Sequence, residues 1–262
     1  IKRGIAFGFL FPKGKKKGSL AVSGQIQIQS FNNFLYDLTL TGRDFPIVYE
    51  YMEVSGLADF DLKIEGATPP KVSGQIKLKQ LDYEEPFGSP VTLALAGQKV
   101  VDQSAQWDWD FTVAAANNAW VKNTDMNAEF SGEVEVFRVD GQMVIYGILD
   151  AFSGGRFYVA GRTFDIEKGQ IIFENVEKPD PTLDLLISSR LYEAQEASVT
   201  EKVELTVTGT ISQPVIGTPS GSKYTQQEVL EMLVLQSPST TTNGKSSPFQ
   251  EKVLGSLGAD VG

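Results

Sequence analysis

The sequence predicts an all-β protein. Apolar and polar residues alternate with period two along most of the chain, and 25 glycines and 12 prolines punctuate the runs. Only one short stretch carries helical signals. Period-two alternation places successive side chains on opposite faces of a strand, so each run predicts one greasy face and one wet face.

The elements follow in order. Leu20, Val22, Ile26 and Ile28 share one parity, with Gly24 in the gap and Ser or Gln between them. After Asn32-Asn33 a second apolar row follows, Phe34, Tyr36, Leu38 and Leu40. Two such runs around a short Asn turn predict a hairpin. Phe60, Leu62 and Ile64 alternate with Asp59, Asp61, Lys63 and Glu65, and Val72, Ile76 and Leu78 alternate with Lys and Gln. Further strands are predicted from Trp107 to Ala114, Ala128 to Val139, Met143 to Leu149, Gly169 to Phe173 and Leu183 to Ser188. Val203, Leu205, Val207 and Ile211 repeat the alternation against Glu and Thr. Antiparallel sheets with one covered face produce this pattern. The helix is predicted after Thr225, with Glu228 three residues on and an apolar stripe of Val229, Leu230, Leu233 and Val234, the spacing of a capping box. Residues 237–248 are rich in Ser, Thr and Pro and predict a linker, and a few helical turns are expected at 250–257.

Composition excludes much chemistry. The chain has no Cys and no His, which removes disulfides, thiol nucleophiles and the commonest general base and metal ligand. The net charge of −10 argues against nucleic acid, whose phosphates need a basic footprint. Six cations, Lys2, Arg3, Lys13, Lys15, Lys16 and Lys17, stand apart from that balance at the start. They predict a solvated edge, with contact to anionic lipid as the sharper alternative. The chain starts at Ile1 with no leader-like or membrane-spanning run, and 5–11 reads as a strand already inside a sheet, so a piece of a longer protein is expected.

The remaining motifs read as structural. Asn243-Gly244-Lys245-Ser246 lacks the glycine and leading strand of a phosphate-binding loop, since Ser239 stands where the glycine belongs. The pairs Asp59/Asp61, Asp108/Asp110 and Glu133/Glu135 place acids on one strand face, where they mark the wet side. Trp107, Trp109 and Trp120 read as core or interface anchors, with sugar stacking the alternative. No enzyme, cofactor or metal site is expected.

What remains is much one-faced sheet and little helix to cover it. Either two sheets pack face to face, or the apolar face stays open as a groove. The open reading places Ile26, Ile28, Leu38, Leu40, Phe60, Leu62, Ile64, Ile76, Leu78, Val203, Leu205 and Val207 along a lipid groove. Exposed strand edges add a second possibility, pairing with a client strand. A closed sandwich that binds glycans through its tryptophans is a third.

An ordered series of phrases carries a family resemblance. It runs from Asn118-Ala119-Trp120-Val121 through Ala128-Glu129-Phe130-Ser131-Gly132, Gly154-Gly155-Arg156-Phe157 and Phe164-Asp165-Ile166-Glu167-Lys168-Gly169. It continues through Asp180-Pro181-Thr182-Leu183-Asp184 and Val207-Thr208-Gly209-Thr210-Ile211-Ser212-Gln213-Pro214 to Tyr224-Thr225-Gln226-Gln227-Glu228. Across 117–235 this resembles the C-terminal domain of the TamB family of envelope proteins. The resemblance implies a β-taco, an elongated sheet folded into a half-pipe with a hydrophobic inner groove. It implies a longer parent anchored in the inner membrane and crossing the periplasm, with this part towards the outer membrane. The family's relation to AsmA-like bridge-like lipid-transfer proteins implies phospholipid as cargo, carried between the two membranes. A TamA-like outer-membrane barrel is the implied protein partner, and assistance to barrel-protein assembly the alternative role. The expected organisation is a repetitive β-groove region at 1–103, a TamB-like domain at 104–236 and a Ser/Thr-rich tail at 237–262. The tail departs from the family pattern, in which the chain usually ends soon after the short helix.

Overall fold

The computed structural model describes residues 18–49, 53–87, 107–139, 142–159, 161–174, 180–192, 200–235, 251–252 and 255–256. The amino-terminal cations, the strand expected at 5–11 and the tract at 237–248 lie outside them. One twelve-stranded sheet dominates. Its strands are β1 (Ser19–Ser30), β2 (Asn33–Tyr49), β3 (Val54–Ala67), β4 (Lys71–Tyr83), β5 (Asp108–Lys122), β6 (Met126–Val139), β7 (Gln142–Ala151), β8 (Arg156–Val159), β9 (Arg162–Phe173), β10 (Thr182–Tyr192), β11 (Thr200–Gly209) and β12 (Pro214–Gly217). Helix α1 (Gln226–Leu235) follows.

The strands neighbour one another in chain order from β1 to β12, except that β8 leaves the path and pairs with β6 and β9. Every pairing is antiparallel but one. β4 and β5 run parallel, Val72 opposite Trp109 and Ile76 opposite Val113. A hairpin cannot join parallel neighbours, and their connection, 88–106, lies outside the described residues. The expected boundary at 103/104 falls in this connection, yet the same sheet runs across it. The sheet does not close into a barrel, and it bends into a half-pipe, as the resemblance implies.

Register carries one apolar face across the molecule. Val22 lies opposite Leu40, Leu40 opposite Leu62, and Leu62 opposite Gly74. The same row continues through Phe111 and Val136 to Ile145. Farther along, Leu149 pairs with Ile171, Ile171 with Leu183, and Leu185 with Val207. Opposite residues share a face, so this is the concave side from end to end.

The bend has a local cause. Pairing slips in β2 between Gly42 and Phe45, in β3 and β4 beside Ala58 and Leu78, and in β5 between Ala115 and Ala119. Phe45, Ala58, Leu78 and Ala115 are mutual partners, so the bulges line up into a crease. A bulge inserts an extra residue and bends its strand. Asp44 and Asn118 occupy two of these bulges at φ 49° and 57°, a region that Asp and Asn tolerate better than most residues. Their amides stay satisfied on the convex side. Asp44 N donates to Asp59 Oδ1 at 2.8 Å, and Asn118 N donates to Glu129 Oε1 at 2.6 Å.

The carboxy-terminal part closes into a core. Phe130, Phe157, Phe164, Ile166, Leu183, Leu185, Ile187, Leu205 and Ile216 are almost fully buried. β8 folds over one end, placing Phe157 between Met126 and Phe164. Helix α1 covers the cluster with Val229, Met232 and Leu233. Its start follows the predicted capping box: Thr225 N donates to Glu228 Oε2 at 2.8 Å, and Glu228 N donates back to Thr225 Oγ1 at 3.3 Å.

A candidate apolar groove

The twelve residues expected along a groove divide into two groups. Nine stand in the part formed by β1 to β4, where no described helix covers the concave face. Ile26 and Ile28 are 47% and 77% exposed. Leu38, Leu40, Phe60, Leu62, Ile76 and Leu78 are half-buried, and Ile64 is just buried. The other three, Val203, Leu205 and Val207, share the same face but lie beneath the carboxy-terminal cover, at most 1% exposed. In this structure they belong to a packed core and present no surface to a groove. The cause is the capped helix and the β8 fold, which remove from water a face that strand periodicity alone leaves open.

The open part has more lining residues than the twelve expected along the groove. Val22, Phe34, Tyr36, Val72, Trp109, Phe111, Val113, Val134 and Val136 register with the same face. The signal for the later ones was present in the alternation of β5 and β6, but joining them to β4 needed the parallel register. Along one lip the aromatic rings approach. Phe34 and Tyr36 lie 6.3 Å apart, and Tyr36 lies 6.3 Å from Trp107 although β3 and β4 stand between their strands. At the other end of β4, Tyr83 stacks on Phe87 at 6.4 Å. Phe87 enters the closed core, its amide donating to the buried Asp125 Oδ2 at 3.1 Å. Asn123 Nδ2 holds the same loop through Glu85 O at 2.9 Å.

The convex face is charged and self-paired. Arg43 forks Asp61 through two bonds of 3.0 and 3.1 Å. Lys79 reaches Asp44 and Asp59 at 2.9 and 3.0 Å, Lys71 reaches Asp110 at 2.6 Å, and Lys122 reaches Asp82 at 2.6 Å. The Asp44 amide and Lys79 hold the Asp59 carboxyl below its ordinary value, and Arg43 does the same for Asp61. Asp110 raises Lys71. These acids serve ion pairs and bulge amides across strands. Trp120 also belongs to this face and carries Lys122 4.9 Å from its ring centroid.

The model of the TamB C-terminal domain matches residues 12–261. The chain belongs to the TamB family. The match extends well beyond the 117–235 stretch that carries the sequence resemblance, so the open β1–β4 part lies within the family domain. A comparison with curated protein sequences finds no match. The TamB C-terminal domain is a periplasmic envelope component, and the family serves outer-membrane protein assembly and envelope biogenesis with TamA as its associated partner. No described helix is long and apolar enough to cross a membrane.

Proposed function

We propose that the open part of the concave face carries the acyl chains of phospholipid on its way between the inner and outer membranes. The observation that supports this is the unbroken registered row from Val22 to Ile145. Seven strands at about 4.8 Å spacing give a track on the order of 30 Å. One leaflet of hydrocarbon is only about 15 Å, half of a ~30 Å bilayer core, so an extended acyl chain fits along the row. Each methylene removed from water contributes about 0.8 kcal/mol, while headgroups stay at the polar lips. Carriage of this kind needs no covalent chemistry, in keeping with a binding protein that is not an enzyme.

Leu40 and Leu62 face each other on the second and third strands of the track. Replacing both with Arg sets two charges in the acyl path. Lipid crosslinking to a photoreactive residue at Phe60 is expected to fall at least tenfold, with the sheet's circular dichroism unchanged. Undiminished capture of lipid in that double variant speaks against the groove.

The edge of β1 supports a second reading. Its twelve residues, Ser19–Ser30, contain no charge and no proline, the two devices that commonly block strand addition. Pairing with a strand of an outer-membrane barrel protein would use this edge. Photoreactive groups at Gln25 or Gln27 that capture protein, with none of the lipid found at Phe60, favour assembly over transport.

A further inference from the structure

The registered concave positions of β1 to β7 are uncharged at every described residue except one. The row from Val22 reaches Val136 of β6. Two residues farther on the same strand, on the same face, stands Arg138, and the β6–β7 pairing continues past it without a slip. An ionised side chain on an apolar face is costly unless it is solvated or paired. Arg138 meets this condition by standing at the lip, half-buried, near the end of β6. Its Nη1 donates to Trp107 O at 2.9 Å, and its guanidinium carbon lies 5.6 Å from the centroid of the Trp109 ring. The cation is thus held at the mouth of the apolar rows.

The surroundings define what such a cation can meet. The Trp109 ring beside Arg138 shares the concave face with Phe111 and Val136, while the acids of the same two strands, Asp108, Asp110 and Glu135, alternate onto the convex face. A guanidinium fork matches the oxygens of a phosphate. Tryptophan at the boundary between apolar and wet surroundings suits the glycerol region of a lipid.

We propose that Arg138 is the headgroup contact of the groove. It binds the phosphodiester of a diacyl glycerophospholipid, while the acyl chains lie on Val136, Phe111 and Val113. This rests on the groove reading above and adds the substrate class and its polar anchor.

The test compares three ligands on the purified chain: phosphatidylethanolamine, diacylglycerol and the deacylated headgroup glycerophosphoethanolamine. The wild-type chain is expected to hold phosphatidylethanolamine about tenfold more tightly than diacylglycerol, the scale of one charge-assisted phosphate contact. Arg138→Gln is expected to remove that preference and leave diacylglycerol binding unchanged. Arg138→Lys, which keeps the charge without the fork, is expected to restore part of it. Glycerophosphoethanolamine is expected not to displace the lipid at equal concentration, because it lacks the acyl contacts. The proposal is overturned if Arg138→Gln keeps the preference, or if the deacylated headgroup competes as well as the lipid. If the wild-type chain holds neither lipid, the groove reading itself fails. If it holds both equally, only the role given to Arg138 fails.

Discussion

Leu40 and Leu205 stand on the same face of one sheet, each in a strand that alternates apolar with polar residues, yet they live in different solvents. Leu205 has no exposed surface. Leu40 is half-buried, and its partners Val22 and Leu62 are also partly in contact with water. The difference lies in the cover. In the carboxy-terminal part, α1 contributes Val229, Met232 and Leu233, and β8 folds Phe157 against Met126 and Phe164. In the amino-terminal part no described element performs that task. The closed part can draw its stability from a packed core. The open part must draw more of its own from backbone pairing, bulge amides and the convex ion pairs, and so can leave its apolar side chains to a ligand.

The same substitution made in each part gives the largest expected contrast. Leu205→Ala leaves a cavity in a packed core and is expected to cost about 2–5 kcal/mol. Leu40→Ala removes a half-exposed side chain and is expected to cost about 1 kcal/mol. Urea unfolding of the two variants measures the difference. Equal losses would mean that the amino-terminal face is covered in solution, and the groove would have no room for lipid.

A smaller effect is expected at the seam between the two parts, where Gly132 and Gly147 lie beside each other's neighbours on β6 and β7. Gly147 has φ 143°, and a Cβ built on it would stand 2.3 Å from Glu133 O. Gly147→Ala must therefore push β6 and β7 apart or strain the backbone, at about 1–3 kcal/mol. Because β7 joins the open rows to the closed core, lipid capture is expected to fall along with stability. A variant that loses stability but keeps full lipid capture would show that β1 to β6 suffice for the groove.

These two parts were not equally legible in the sequence. Periodicity identified the concave residues of β1 to β4 and their facing across the first hairpin, because alternation fixes parity and the Asn turn fixes register. It also located α1 through Thr225 and Glu228. What it could not supply was the cover over Val203, Leu205 and Val207. A two-residue repeat reports which face is apolar and carries no information about what packs on it. The parallel β4–β5 register was hidden for a similar reason, since it depends on a long connection and not on a local turn. The far end of β5, from Ala115 to Lys122, was missed because a bulge at Asn118 breaks the alternation. Arg138 was visible as a break in parity after Val134 and Val136, but its meaning required knowing that six other strands shared that face.

The smallest expected effect concerns acid. Asp59 joins β2, β3 and β4 at the crease, accepting the Asp44 amide and pairing with Lys79. Both contacts favour its ionised form, so its folded pKa lies below the ordinary value of 3.8. A depressed carboxyl contributes stability above the unfolded pKa and loses it as pH falls through the folded one. The contribution is therefore complete above about pH 5 and is lost progressively as pH falls below the unfolded value and through the lower folded one. The closed part has similar pairs, such as Glu167 with Lys202, but it retains its core when they protonate. Acid is thus expected to loosen β2 to β4 before β9 to β11. Amide exchange corrected for its intrinsic pH dependence measures the order in which the strands open. In Asp59→Asn the acid step in β2 to β4 is expected to shrink, because the charge that titrates is gone, while β9 to β11 keep their wild-type profile. Simultaneous loosening of both sets of strands would mean that the crease clasp and the carboxy-terminal core form a single cooperative unit, and the division into an open and a closed part would then describe geometry without describing stability.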